Sequence, residues 1–359
     1  METADLVDGG VEGIDAAAVS RWFSSHVAGS EPPLTFTLIA GGRSNLTYRV
    51  VDGAGHVYAL RRPPLSHVLP TAHDMAREHR VITALGPTPV PVPVTLGLCE
   101  DPTVNERPFY VMEFVEGSIV RDAAGAERDL DAAARRRSGA SLADTLAALH
   151  AVDVDAVGLG DFAKRDGYVE RQLRRWYEQF RNSQVEGLDT ATIVGAVHDR
   201  LASAVPAQVG TSIVHGDYRL DNTVLGPDGT VRAVLDWEIC TLGDPLADVG
   251  LLMVYWTDPG DEGALVGVTP TTVAGFPSRA EVRARYAAAS GRDLTHLDYY
   301  VAFGYWKLAC IIQGVYARYV GGATAGDRSS VEGFAHSVVR LAEMAERALD
   351  APSDEGAGR

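Results

Sequence analysis

Lysine is nearly absent from this chain of 359 residues, since only Lys164 and Lys307 occur among its 32 lysines and arginines. Any chemistry that requires a lysine before residue 164 is therefore excluded. Negative charge exceeds positive charge, because 48 aspartates and glutamates against 32 lysines and arginines give a formal net charge of −16. An acidic protein repels nucleic-acid backbones and anionic membrane surfaces, so the sequence predicts neither as a partner.

Cysteines and long apolar runs are also few. The three cysteines, at positions 99, 240 and 310, are widely spaced and form no C-x-x-C pair, which argues against a disulfide framework or a thiolate metal site and predicts a cytoplasmic protein. The acidic N-terminal segment does not resemble a secretion signal. The most apolar late stretch, residues 301–315, is shorter than the roughly 20 residues that span a bilayer, so no membrane anchor is predicted.

The patterns that are present predict an α+β fold with two lobes. Residues 1–115 are expected to form a small five-stranded antiparallel sheet with a helix, because three β-rich runs are separated by glycine turns. The predicted helices cover 15–27 and 74–85, and the predicted strands cover 34–40, 45–52, 56–62, 90–98 and 108–115. Helical periodicity dominates most of residues 116–359, which predicts a mostly helical second lobe.

A short apolar run at 213–214 is followed by His-Gly-Asp-Tyr-Arg-Leu-Asp-Asn at 215–222. Two β-rich runs then flank Gly-Pro-Asp-Gly at 226–229, which predicts a hairpin. Asn222 and Asp236 are equidistant from Gly229, so they are expected nearly opposite each other, where Cα atoms are about 4.5 to 5.5 Å apart. An amide oxygen and a carboxylate are ligands that suit Mg²⁺.

Asp217 is left as a second carboxylate on the same loop, and we interpret it as the proton acceptor. The alternative is that Asp217 and Asn222 are turn residues that satisfy their own backbone.

Several motifs resemble one known family. His-Gly-Asp-x-x-x-x-Asn at 215–222, Leu-Asp-Trp at 235–237 and Gly-Asp-Pro-Leu-Ala-Asp at 243–248 resemble the aminoglycoside phosphotransferase family, which has a protein-kinase-like fold and includes choline kinases. The resemblance implies ATP and Mg²⁺ as cofactors, Asp217 as the catalytic base, and Asn222 and Asp236 as metal ligands. It also implies that residues 1–115 form a nucleotide-binding lobe, that residues 116–359 form a catalytic and substrate lobe, and that Asp248 braces the catalytic loop.

The segment Tyr-Ala-Leu-Arg at 58–61 resembles the third strand of kinases. Ala59 is the small residue where adenine would pack, and Arg61 stands where a cation would contact the phosphates. Glu78 lies on the apolar stripe of the 74–85 helix and is predicted to pair with Arg61. A register error of one residue would instead turn Arg62 inward, and both arginines could simply cap a surface strand.

Two further groups of nucleotide-binding residues are predicted. Ser44 and Asn45, in the loop between the first two strands, suit phosphate oxygens, although the same loop could be an ordinary hairpin turn. Residues 110–115 look like the strand that runs into the hinge of a kinase. The backbone of Glu113 and Val115 is therefore expected to bind adenine.

The acceptor is predicted from the helical lobe and from a second resemblance. An apolar, aromatic helix bearing Lys307 suits an anionic acyl group better than a polycation. The motif at 215–222 and Leu-Arg-Arg-Pro-Pro at 60–64 resemble the branch of the family associated with acyl-CoA dehydrogenases. We therefore expect a small-molecule kinase for a non-antibiotic hydroxy compound such as a hydroxyacyl derivative. An aminoglycoside O-phosphotransferase and a nucleotide-binding pseudokinase are the alternatives.

Overall fold

The structure, a computed structural model, describes residues 11–40, 45–65, 74–185, 189–261, 269–320 and 331–351. The chain divides into a first unit, Met1–Glu116 with Ala233–Glu238, and a second unit, Gly117–Arg232 with Ile239–Arg359. The sequence predicts one boundary, near residue 116. The structure also groups residues 233–238 with the first unit, which the sequence did not indicate.

The first unit contains two described helices and a five-stranded sheet whose neighbouring strands are all antiparallel. The strands occur in the order β1-β2-β3-β5-β4, so β1 to β3 form a meander and β5 lies between β3 and β4. The elements are α1 (Ala16–His26), β1 (Thr35–Ala40), β2 (Leu46–Val51), β3 (Val57–Arg62), α2 (Met75–Leu85), β4 (Thr95–Cys99) and β5 (Phe109–Glu113).

The fourth strand is shorter than predicted, because it begins at Thr95 rather than at residue 90. Pro91 and Pro93 precede it, and proline cannot donate to a strand ladder. The carbonyl of Pro91 instead accepts a hydrogen bond of 2.8 Å from the backbone N–H of Val234, within the same unit.

Helix α1 and the sheet form the apolar core of the first unit. Asp15 caps α1 by accepting from the N–H of Ala18, and the helix buries Val19 and Phe23 against the sheet. Burying a side chain of this size stabilises the fold by about 1.5 to 3 kcal/mol. Helix α2, capped by Asp74, packs on β4 and β5 and buries one charged residue, Glu78, among apolar neighbours on its inner face.

The second unit is mostly helical, and its described elements surround two small β-pairs, β6 with β9 and β7 with β8. The helices are α3 (Ala123–Asp129), α4 (Ala132–Ala151), α5 (Tyr168–Asn182), α6 (Ala191–Ser203), α7 (Leu246–Tyr255), α8 (Arg279–Ser290), α9 (Leu297–Val320) and α10 (Val331–Asp350). The strands are β6 (Ser212–Val214), β7 (Thr223–Leu225), β8 (Val231–Val234) and β9 (Thr241–Gly243).

Helices α7 and α9 pack closely because glycine lines their contact. A Cβ atom on Gly250 would lie 2.5 Å from the backbone of Tyr300. Pro245 is the N-cap of α7, and the carboxylate of the preceding Asp244 accepts from the N–H of Leu246 at 3.0 Å. This close pairing fixes α9, from which Lys307 projects, against the core of the second unit.

These observations confirm the predicted α+β class, with a small antiparallel sheet and helix followed by a mostly helical region. Among the helices in the described ranges, none is long and apolar enough to cross a membrane.

Candidate functional site

The register of the first unit's sheet places three polar side chains around Glu78. Thr47, Arg61 and Tyr110 are directly opposite one another on β2, β3 and β5, so they share one face of the sheet. The Nε atom of Arg61 donates to Oε2 of Glu78 at 3.0 Å, and the hydroxyl of Tyr110 donates to the same oxygen at 3.0 Å. Arg61 also donates through Nη1 to the hydroxyl of Thr47 at 3.3 Å.

Glu78 and Arg61 form a buried ion pair. The Glu78 residue is 1% exposed, and this burial raises its pKa, although the nearby Arg61 opposes the shift. Burial alone would lower the pKa of Arg61, but the charge of Glu78 raises it above the ordinary value. The guanidinium of Arg61 therefore remains charged.

Arg62 points away from this pair. Its Nη1 atom donates to the carbonyl of Gly13 and its Nε atom donates to the carbonyl of Pro63 at 3.2 Å. The strand alternation thus brings Arg61, rather than Arg62, to Glu78, as the small Ala59 on the same face indicates.

Arg61, Glu78, Thr47 and Tyr110 form a cluster of polar side chains, here called the Arg61 cluster. Asp236, in the segment that follows β8, also belongs to it. The Nη2 atom of Arg61 donates to Oδ1 of Asp236, whose side chain is 29% exposed. Asp236 has a φ of 63°, the only positive φ of a non-glycine residue in the described ranges. Left-handed backbone is costly for such residues and is concentrated at functional sites. The buried Trp237, which donates from Nε1 to the carbonyl of Val234 at 3.1 Å, anchors this turn.

Asn45, a predicted phosphate contact, is buried in the same cluster. Its Nδ2 atom donates to Oε1 of Glu78 at 2.5 Å and to Oε2 of Glu238 at 3.4 Å, so the amide nitrogen braces two carboxylates. Its Oδ1 atom has no hydrogen-bond partner within the described part of the chain. Ser44, the other predicted phosphate contact, lies outside the described residues.

The predicted adenine contacts lie on β3 and at the end of β5. Ala59 is buried and pairs with Met112. The N–H of Glu113 donates to the carbonyl of Val94 at 2.8 Å, and the adenine contact of the Glu113 backbone stays a prediction. Val115 follows the end of β5 and is half-buried.

In the second unit, the loop after β6 brings Asp217 and Asn222 together. The Nδ2 atom of Asn222 donates to Oδ2 of Asp217 at 2.9 Å and to its backbone carbonyl at 2.8 Å. Both bonds use the amide nitrogen, which leaves Oδ1 of Asn222 available as a metal ligand. A single helical turn of 3-10 type, Leu220–Asn222, sets this geometry.

Asp248 on α7 binds the backbone of the loop at 215–222, which carries Asp217 and is the predicted catalytic loop. Its carboxylate accepts from the N–H of His215 at 2.7 Å and from the N–H of Gly216 at 2.8 Å. His150 lies 3.3 Å from the same carboxylate and 2.7 Å from the hydroxyl of Tyr286. Burial alone would raise the pKa of Asp248. The hydrogen bond from His150, the nearby imidazoles of His150 and His215 and the hydrogen bond from the N–H of Gly216 together lower that pKa below the ordinary value.

Arg219 and Tyr255 lie beside the carboxylate of Asp217. The Nε atom of Arg219 is 3.5 Å from Oδ2 of Asp217 and 2.8 Å from Oδ1 of Asp221, and its guanidinium lies 4.6 Å from the ring centroid of Tyr255. Burial strongly raises the pKa of Tyr255, and the charge of Asp217 and a hydrogen bond to it add to the shift. The tyrosine hydroxyl therefore stays protonated and can donate to Asp217.

Asn222 and Asp236 are the predicted metal ligands. An amide oxygen and a carboxylate are the kinds of ligand that suit a magnesium ion bound to nucleotide phosphates. Asp236 lies in the first unit and Asn222 in the second, so their convergence on one ion stays a prediction.

Sequence reasoning missed Tyr110 and Tyr255. Tyr110 could have been found from strand alternation, because its position opposite Arg61 follows from the antiparallel pairing of β3 and β5. Tyr255 ends a helix 38 residues after Asp217, and no local pattern links the two.

Comparisons with known proteins show which proteins this chain is similar to. The crystal structure of a protein from Ralstonia eutropha, provisionally described as an aminoglycoside phosphotransferase, is 34% identical and has a TM-score of 0.79, covering 94% of this chain and 99% of that one. Mouse acyl-CoA dehydrogenase family member 10 is 33% identical over 332 residues, which are 91% of this chain. The aligned part of this chain covers 30% of the length of that mouse protein and 42% of the length of human acyl-CoA dehydrogenase family member 11.

A more distant structure shares the fold alone. Amicoumacin kinase, solved in complex with AMP-PNP, Ca²⁺ and Ami, is 15% identical with a TM-score of 0.60, covering 92% of this chain and 94% of that one.

The family comparison covers most of the sequence. The Phosphotransferase enzyme family matches residues 35–300, a range that includes both the Arg61 cluster and the catalytic loop. The kinase-like fold and the predicted enzyme class, an ATP-dependent phosphotransferase with an alcohol group as acceptor, are confirmed. The chain belongs to the Phosphotransferase enzyme family.

Proposed function

We propose that this protein is a small-molecule kinase in which Asp217 accepts the proton of a substrate hydroxyl while the γ-phosphate of ATP is transferred to the oxygen. The observation that carries the proposal is the geometry of the loop around Asp217. Its carboxylate receives a hydrogen bond from Asn222, and its backbone is held by buried neighbours. A positioned carboxylate within reach of a hydroxyl is what general-base catalysis requires.

The two units supply different parts of the reaction in this proposal. In the first unit, Arg61 binds the α- and β-phosphates while Glu78 orients its guanidinium. In the second unit, Asp217 orients the acceptor hydroxyl and takes its proton as the new O–P bond forms and ADP leaves. Asn222 and Asp236 would hold Mg²⁺, which neutralises phosphate charge when it is bound. The left-handed backbone at Asp236 supports a special role for this side chain.

We propose a hydroxyacyl derivative as the acceptor. Support comes from the curated relatives, which are named acyl-CoA dehydrogenase family members and match 91% and 92% of this chain. One argument from the sequence is wrong, since Lys307 is buried and contacts the catalytic loop instead of facing an anionic substrate. The Ralstonia eutropha structure is the observation that favours an aminoglycoside as a second candidate.

A two-stage experiment tests the proposed function. Thermal shift with Mg-ATP, and then with hydroxyacyl-CoA compounds, homoserine, choline or aminoglycosides, identifies the molecules that bind. Phosphoryl transfer is then measured from [γ-³²P]ATP to each binder. Transfer to a hydroxyacyl compound supports the proposal, and transfer to an aminoglycoside supports the second candidate. Nucleotide binding without transfer to any of these compounds would indicate the pseudokinase alternative.

The predicted cytoplasmic location and the predicted lack of nucleic-acid and membrane partners stay predictions. They rest on the acidic composition and on the free cysteines, which are all buried.

A further inference from the structure

Lys307 is a buried cation that the proposed reaction leaves without a role. It projects from the middle of α9 and is 5% exposed. Its Nζ atom donates to the carbonyl of Gly216 at 2.9 Å. It also lies 5.6 Å from the ring centroid of Trp176, whose indole is fixed by a 2.9 Å hydrogen bond to Gln172. Lysine is almost never fully buried unless it is paired, so this position requires an explanation.

The carbonyl of Gly216 belongs to the peptide unit that directly precedes the predicted base. The other end of that unit is the N–H of Asp217, which donates to Nδ1 of His215 at 3.2 Å. The carbonyl is therefore held by Lys307 and the N–H is held by His215. A peptide unit fixed at both ends cannot rotate, and its orientation sets the direction in which the Asp217 side chain leaves the backbone.

Gly216 itself makes this arrangement possible. Its φ of +86° is readily available only to glycine, and a Cβ atom there would lie 3.1 Å from the side chain of Ile239. Its N–H donates to Asp248 while its carbonyl accepts from Lys307, so α7 and α9 hold opposite sides of one residue. The loop is thus held by two buried side chains of opposite charge.

The chemistry of the site also explains why a lysine occurs here in a chain whose other cationic side chains, apart from Lys164, are arginines. A guanidinium has five N–H donors in a fixed plane, and a buried position with one carbonyl acceptor and one aromatic ring would leave most of them unsatisfied. An ammonium is compact and can direct one N–H to the carbonyl while its charge faces the ring. Burial lowers the pKa of Lys307, and the charges of Asp217 and Asp248 oppose that shift.

We propose that Lys307 is a positioning residue that fixes the Gly216–Asp217 peptide unit and thereby directs the Asp217 carboxylate towards the acceptor hydroxyl. The catalytic consequence rests on the proposed function, whereas the order of the loop does not. Two measurements therefore separate a failure of this inference from a failure of the proposed function.

The first measurement is hydrogen exchange of the catalytic loop, which requires no substrate. Lys307→Met keeps the length and apolar stem of the side chain but removes the donor. We expect backbone amides in peptides covering 212–222 to exchange about tenfold faster, because one buried hydrogen bond to the loop is lost. Peptides from α8 serve as an internal reference and should exchange at the wild-type rate. Unchanged exchange over 212–222, or an equal increase in α8, would overturn the proposal.

The second measurement is phosphoryl transfer from Mg-ATP to the acceptor found in the binding panel, or to water if none is found. Lys307→Met should lower kcat about 100-fold while the KM for ATP stays within about twofold, because a misplaced reacting group loses turnover rather than nucleotide binding. Lys307→Gln retains an N–H donor and should recover part of the lost kcat. A purely structural role would lower the folded fraction without this split between kcat and KM.

Lys164→Met is the matched control, since it removes the chain's other lysine at an exposed position in the same unit. It should leave both measurements at wild-type values. If the wild-type protein transfers phosphate to neither an acceptor nor water, the proposed function fails, and the exchange experiment still decides whether Lys307 orders the loop. If transfer is normal in Lys307→Met, the positioning role is wrong while the proposed function stands.

Discussion

The two units hold their candidate functional residues by different means. In the first unit, side chains bind side chains, since Arg61 lies between the carboxylates of Glu78 and Asp236. In the second unit, buried side chains bind the backbone of the loop that carries Asp217, through Asp248 and Lys307. In the first arrangement, a phosphate or a metal ion could replace one partner of an ion pair. In the second, hydrogen bonds to the backbone fix the conformation of the loop, and this arrangement is called a fixed frame below.

This difference suggests a division of labour between binding and chemistry. A phosphate that reaches Arg61 can replace one carboxylate partner with another anion at little cost, because the guanidinium keeps several of its donors paired throughout. A general base gains from a fixed direction, because proton transfer requires a hydrogen bond to the acceptor hydroxyl of about 2.6 to 3.2 Å. Changes in the first unit should therefore alter nucleotide affinity, and changes in the catalytic loop should alter turnover.

The largest effect is expected for Asp217→Asn. The amide has nearly the same shape but cannot accept the proton, so turnover should fall by about 10² to 10⁴-fold. Nucleotide affinity should stay within about twofold, because the phosphates are held by other groups. Steady-state transfer and titration calorimetry with Mg-ATP measure the two quantities. Wild-type turnover in this variant would refute the base assignment.

A large effect on binding, rather than on turnover alone, is expected for Asp236. Asp236→Asn removes the charge that would bind the metal while asparagine still tolerates a left-handed backbone. Loss of the charge of a partly buried metal ligand should cost about 2 kcal/mol, so Mg-ATP affinity should fall roughly 30-fold. Asp236→Gly is the control for the backbone. It should weaken nucleotide binding equally while relieving the cost of the positive φ in the free energy of unfolding.

If either Asp236 variant bound Mg-ATP as tightly as the wild type in calorimetry, the metal-ligand role would be wrong. The partnership with Arg61 would then be the reason for the carboxylate at this position.

An intermediate effect, on stability and its pH dependence, is expected for Asp248→Asn. Two backbone N–H groups of the loop lose their common carboxylate, which should lower the free energy of unfolding by about 3 kcal/mol. The pKa of Asp248 is lowered in the folded state, so its contribution is present above its ordinary pKa and is lost as pH falls through the lower, folded value. The variant should therefore show a flatter decline of stability below about pH 4.

His150 acts in the same direction at higher pH. Burial lowers its pKa, so the folded protein resists its protonation and loses stability as pH falls below about 6.5. Urea unfolding followed by tryptophan fluorescence from pH 3 to 8 separates the two ranges. Asp155→Asn, which removes an exposed carboxylate whose pKa is also lowered, is the control and should hardly change the stability. An equally steep acid decline in Asp248→Asn would contradict the assignment.

The sequence predicted those parts of the site that depend on local periodicity. Strand alternation brought Arg61 to the inner face, and helix spacing turned Glu78 inward, so their pairing could be expected from short windows of sequence. The predicted turn at 226–229 is present, with the N–H of Gly229 bonded to the carbonyl of Gly226. These elements follow from backbone chemistry that neighbouring residues determine.

Contacts between distant segments could not be predicted in the same way. Arg61 and Asp236 are 175 residues apart, and Gly216 and Lys307 are 91 residues apart. Neither pair leaves a periodic signal, because each depends on how complete elements pack. The contacts of Asn45 were likewise not predicted, since a loop amide gave no sign that two carboxylates would accept hydrogen bonds from its nitrogen.

The smallest effect, and the sharpest test of how exchangeable the Arg61 cluster is, is expected for Arg61→Lys. Arginine contacts Glu78, Thr47 and Asp236 through three separate nitrogens, whereas a lysine has one nitrogen for all of them. If phosphates require only a positive charge at this position, the Mg-ATP affinity of Arg61→Lys should fall less than about tenfold. The affinity of Arg61→Ala should be much lower than that of Arg61→Lys. Calorimetry on both variants measures the difference.

Arg62→Lys is the matched control, because the neighbouring arginine bonds backbone carbonyls on the opposite face of the strand. It should lower the free energy of unfolding and leave nucleotide affinity unchanged. If Arg61→Lys bound Mg-ATP as weakly as Arg61→Ala, charge alone would not suffice, and the planar fork of arginine would be part of the nucleotide site. The first unit would then depend on fixed geometry as much as the second, and the contrast between exchangeable ion pairs and a fixed frame would fail at its strongest example.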